Sequence, residues 1–123
     1  MTITEFLTAR LDEDESTARM AESASSHPDE VDDEPAAAAS FLPQQQRHID
    51  RWSPARVLVD IAAKRTIVET YEELGQILTK ALDSGHADEA TVTRNLFAGL
   101  QVAVLAHAMV FADHPDYREE WRS

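Results

Sequence analysis

The chain has 123 residues, no cysteine and a formal net charge of −12. That length suits one domain with a core of two to four helices and is too short for two substantial domains. Without cysteine, disulfides and thiolate chemistry are excluded, and so negative a field disfavours nucleic acid and anionic membranes as partners.

The charge is uneven: residues 1–46 hold eleven acidic and two basic side chains, residues 47–123 twelve and nine. Three glycines, 7% aromatic residues and no sustained alternation of β-branched with polar residues favour helix over sheet. The expected fold is all-α, a single domain over residues 1–123.

Thr2-Ile3-Thr4-Glu5 has the spacing of a capping box, and a first helix is predicted from Ile3 to about Glu22. Ile3, Phe6, Leu7, Leu11, Ala18 and Ala21 share its apolar face, while Arg10 with Asp14 and Glu15 with Arg19 are spaced for surface pairs. The acid run Asp12-Glu13-Asp14-Glu15 reads as a solvated face. The stretch 24–40 is rich in acid, serine, proline and alanine, with Val31 its one sizeable apolar residue, and is expected to be a flexible linker. Next, PQQQRHIDRW is predicted as a short helix from which Phe41, Leu42, Ile49 and Trp52 lean on the core.

Ser53 to Leu82 organises the chain, because Ser53 caps, Pro54 suits the first turn and one apolar face persists throughout. Its seam is Val57, Ile61, Lys64, Val68, Tyr71, Gly75, Leu78 and Leu82, in steps of four and three. Asp83-Ser84-Gly85-His86 supplies a left-handed stop, and Asp88 is expected to cap a last long helix running to about Ala112. The second half of that helix is apolar almost all round, which places 102–111 at the centre of the bundle or in an interface. Pro115 ends it, and Tyr117 and Trp121, four apart, cover the bundle end. The architecture expected is a long antiparallel hairpin, 53–82 against 88–112, with the first helix packed on it as a three-helix bundle, plus short accessory helices.

Three stretches, FLTARLDEDESTAR, HIDRWSPARVLVDIAAKRTIVE and FADHPDYREEWR, together resemble an uncharacterised family of small actinobacterial and actinophage proteins known only as a domain of unknown function. The resemblance implies an actinobacterial or phage source and no known activity. Family members often carry Gly-Pro-Trp after the first helix and His-Asp-Pro before the long one; here the first is absent and the second reads Trp52-Ser53-Pro54.

There is no phosphate-binding glycine loop, nucleophile elbow or paired-cysteine metal site. Asp12 with Glu15 and Glu69 with Glu72 sit three apart on helices, so each pair projects together and can hold Mg²⁺ with water completing its shell. Two such pairs resemble the sites of all-α nucleoside triphosphate pyrophosphohydrolases, although the spacing between the pairs is longer. Arg47, His48, Arg51 and Arg56 form a basic cluster suited to an anion, and His107 reads as a core histidine.

The function expected is that of a nonenzymatic cytoplasmic interaction protein without cofactor, whose protein partner meets Val104, Met109, Tyr117 and Trp121. A Mg-dependent enzyme and an acidic DNA mimic are the alternatives. Three helices cannot easily enclose both the long seam and the apolar segment 102–111, so a homodimer is expected to cover the remainder, disrupted by Val104→Glu. The competing expectation is a monomer capped by Phe41, Leu42, Trp52, Tyr117 and Trp121.

Overall fold

A computed structural model describes residues 1–26 and 42–122, with only the backbone of Ser25 and Ser26. Its helices are α1 (Ile3–Ser26), α2 (Pro43–Arg51), α3 (Pro54–Asp83) and α4 (Ala87–Met109), followed by a 3₁₀ turn at Glu119–Trp121. No strand occurs among the described residues. The α3 and α4 helices pack as an antiparallel hairpin, and α1 packs on them, chiefly on α3. The fold is the expected all-α hairpin with a helix laid on it. Phe41 and most of the stretch 24–40 lie outside the described residues; its first part, 24–26, is the last turn of α1.

The element ends follow local chemistry. The Thr2 amide donates to Glu5 Oε2 at 2.7 Å and the Glu5 amide to Thr2 Oγ1 at 3.2 Å, which is the reciprocal capping box. Ser53 Oγ accepts from the Arg56 amide at 3.4 Å with Pro54 in the first turn of α3. At the far end Gly85 has φ 73°, the His86 amide donates to Ala81 O at 3.0 Å and the Gly85 amide to Leu82 O at 3.3 Å, the paired bonds of a Schellman stop.

Three ends differ from expectation: α1 runs to Ser26 rather than about Glu22, and both ends of α4 move. The N-cap of α4 is His86 rather than Asp88, which lies in the first turn beside Glu89, where carboxylates meet the positive end of the helix dipole. The helix also closes at Met109, because the amides of Val110, Phe111 and Ala112 turn back to carbonyls only three residues earlier.

The core sits where α1, the middle of α3 and the second half of α4 meet. Phe6, Leu7, Val68, Val104, Ala108 and Trp121 form it, with Ile3, Ile67, Tyr71, Leu105, Phe111 and Tyr117 packed around them. Since Leu7, Leu11, Lys64 and Val68 line one hollow, and Asp12 and Glu15 meet Arg65, α1 runs antiparallel to α3 and its first turn lies level with Tyr71.

The chain after Pro115 returns to cover Phe6, whose ring centroid lies 5.0 Å from that of Trp121, 5.7 Å from His114, 6.1 Å from Tyr117 and 6.2 Å from Phe111. Tyr117 and Trp121 thus cover the bundle end as expected. In contrast, α2 contributes no buried residue, and Leu42, Ile49 and Trp52 are exposed rather than leaning on the core.

Candidate functional site

The fourth helix carries two apolar seams. The inner one, through Thr93, Phe97, Leu100, Val104, Ala108 and Phe111, faces the rest of the bundle. The outer one reads Val92, Leu96, Gly99, Ala103, Ala106 and Val110, in steps of four, three, four, three and four, so these residues share one face. Val92 is 61% exposed, Leu96 57% and Val110 72%, with Gly99 and Ala106 exposed and Ala103 half-buried between them.

At ~1.5 Å per residue the outer seam is about 27 Å long, on a helix roughly 10 Å across. Its electrostatics are as uniform as its packing. From Asn95 to Ala112 the chain holds no Asp, Glu, Lys or Arg, although the whole molecule carries −12. An exposed apolar strip of this length is unusual on a monomer. The stretch 102–111, expected at the centre of the bundle or in an interface, is divided: Val104 and Ala108 lie in the core, while Val102, Ala106, Met109 and Val110 face outward.

The residues expected to meet a partner are split by this arrangement. Val104 is fully buried between Phe6 and Val68, and Trp121 is buried against Phe6, so both are core residues. Tyr117 is half-buried on Phe6, and its Oη is enclosed without a hydrogen-bond partner. Met109 is exposed, beside the outer seam. From the sequence the second half of this helix reads as apolar almost all round, which merges the two seams. The four-and-three spacing of the outer one is the signal that separates them.

The acidic pairs have different surroundings. Arg65 Nη2 donates to Asp12 Oδ1 at 2.6 Å and to Glu15 Oε2 at 2.8 Å, and Arg19 donates to Glu15 Oε1 at 2.6 Å. The hydrogen bonds from Arg19 and then Arg65 hold the Glu15 carboxyl below its ordinary range, while Asp12 and Glu15 push the Arg65 guanidinium up. This pair is thus occupied by cations of the chain itself. Glu69 and Glu72 are both exposed, and no group of three His, Asp or Glu able to hold a metal occurs among the described residues.

Arg47, His48, Arg51 and Arg56 are all exposed at the junction of α2 and α3. Arg47 Nε donates to the Pro43 carbonyl at 3.3 Å. Between α1, α3 and α4 a partly open hollow of about 10 Å³ is lined by Leu7, Leu11, Lys64, Val68, His107, Val110 and Phe111. That is room for about one water and not for a substrate. Lys64 turns its Nζ to Asp60 at 2.6 Å, which lets its stem stay in the apolar seam.

Fold and surface together define a small helical-bundle protein with a long exposed apolar strip on one helix. The chain belongs to DUF6221, a family of unknown function whose family model matches residues 1–123. No curated protein and no solved structure matches it. No helix among the described residues is long and apolar enough to cross a membrane.

Proposed function

We propose that this chain is a nonenzymatic interaction protein that holds a protein partner on the outer face of α4 and modulates it, in the cytoplasm of an actinobacterium or of a phage host. The outer seam carries this reading. Val92, Leu96 and Val110 stay exposed along one strip that is uncharged from Asn95 onward, where water contact costs the monomer free energy that a partner recovers. The occupied carboxylates Asp12 and Glu15 and the small size of the hollow beside Leu7 give less support to catalysis on Mg²⁺.

The test is to immobilise the native protein and Leu96→Glu and pass a bacterial lysate, and separately the purified chain, over each. Leu96 is exposed, so the variant keeps the fold, and circular dichroism checks that it does. The native protein is expected to retain a protein that the variant loses. If both retain the same proteins in the same amounts, this face is not the contact. A nucleotide panel with Mg²⁺ is expected to show no turnover; turnover abolished by Glu69→Gln would replace this reading with an enzymatic one.

A further inference from the structure

We infer that the outer face of α4 is covered by a second copy of this chain, in an antiparallel two-fold pair centred between Gly99 and Ala103. The inference rests on the reading of this face as a protein contact and names the occupant. Three features favour a second copy.

The first is charge. Two molecules of −12 repel through most of their surfaces, since α1 exposes Asp12, Glu13 and Asp14 and α3 exposes Glu69, Glu72 and Glu73. A basic partner is drawn to those faces. The strip from Asn95 to Ala112 instead carries no charge, so across it two copies bring carboxylates together only at the two ends of the pair, where Glu89 approaches Asp113 of the other copy.

The second is volume. An antiparallel two-fold sets Val92 against Val110 of the other copy, Leu96 against Ala106, and Gly99 against Ala103. Each large side chain then faces a smaller one or its like, and the helices approach evenly along the strip. A parallel pair puts Leu96 on Leu96 and Gly99 on Gly99, a bulge beside a gap.

The third is repeat length. Steps of four and three keep a seven-residue period, the condition for two helices to stay in register over several turns. The antiparallel arrangement also opposes the two helix dipoles. A strip this narrow lies at the small end of specific interfaces, so association in the micromolar range or weaker is expected, strengthened by salt that screens the like charge.

Sedimentation equilibrium from tens to hundreds of micromolar, at low and raised salt, tests the pair on the native chain, Leu96→Glu, Ala106→Lys and an equimolar mixture of the two variants. Native protein is expected to approach twice 13.7 kDa, more completely at raised salt. Each variant alone is expected to associate at least about tenfold more weakly. The mixture is expected to recover the doubled mass, because the carboxylate introduced by Leu96→Glu in one copy then faces the ammonium introduced by Ala106→Lys in the other.

Native protein that stays at 13.7 kDa under every condition overturns the inference, as do variants that associate as tightly as the native chain or a mixture that stays monomeric. The lysate comparison is independent of the native mass. A monomer that still captures a protein lost by Leu96→Glu rejects the second copy and keeps the contact face.

Discussion

Phe6 shows why the end of this chain reads so distinctively. Its ring is fully buried beneath Phe111, His114, Tyr117 and Trp121, so the closing motif is the lid that seals α1 against α4. Arg10 belongs to the same cluster: its Cζ lies 5.6 Å from the Phe6 centroid and its Nη2 is 2.9 Å from Glu13 Oε1. The spacing of Arg10 and Asp14 suggests a surface pair, but the side chain is buried, with Nε and Nη1 enclosed and without hydrogen-bond partners.

Charge pairing acts differently at Glu15, whose carboxyl is held low by Arg19 and Arg65. A depressed carboxyl adds stability that is complete above its ordinary value, about 4.3, and disappears as pH falls through the lower folded value. Thermal unfolding of native protein and Glu15→Gln is therefore expected to differ near neutral pH and to converge as the pH falls below the lowered folded value. Equal melting temperatures near neutral pH would show that the two arginines contribute nothing through this group.

At the scale of single helices, two glycines that look alike in sequence behave in opposite ways. A Cβ on Gly75 would meet Phe97 Cε2 at 3.2 Å, and that ring is stacked on Tyr71 with centroids 4.5 Å apart, so it has little room to yield. A Cβ on Gly99 would meet nothing within 4 Å. Gly99→Ala is expected to stabilise the monomer by about 0.5–1 kcal/mol through helix propensity. Gly75→Ala is expected to lose that gain to overpacking, which costs about 1–3 kcal/mol. Urea unfolding of dilute protein measures both, and a stabilised Gly75→Ala would mean that the hairpin has slack at Phe97.

Helix types and several helix ends are legible in the sequence because caps and stops are local: Thr2 with Glu5, Ser53 with Pro54, and Gly85 each fix their element without help from the rest of the chain. The facing of α4 is not legible in that way. Both of its seams are apolar, and only the docking of α1 and the return of Trp121 decide that Val104 lies inside and Leu96 outside. The exposure of α2 escapes for the same reason, since an amphipathic pattern announces an apolar face without saying whether anything meets it.

The molecule as a whole is thick at one end and thin at the other. Near Phe6 three helices and the closing turns converge, and Phe6, Leu7, Val68 and Val104 are buried together. Past the level of Tyr71, where α1 begins, only α3 and α4 remain among the described residues, and the buried residues there are Ala81, Ala90 and Thr93. Small side chains bury little apolar surface, so this tip is held mostly by its own helical hydrogen bonds and the Gly85 stop. Native-state hydrogen exchange at low protein concentration is expected to separate the two regions, with backbone amides of 74–96 exchanging faster than those of 61–71 and 101–108. Uniform protection would make the chain one cooperative unit. With the expected gradient, the hairpin tip unzips and closes repeatedly during the lifetime of the folded base, a local fluctuation that leaves the Phe6 cluster shut.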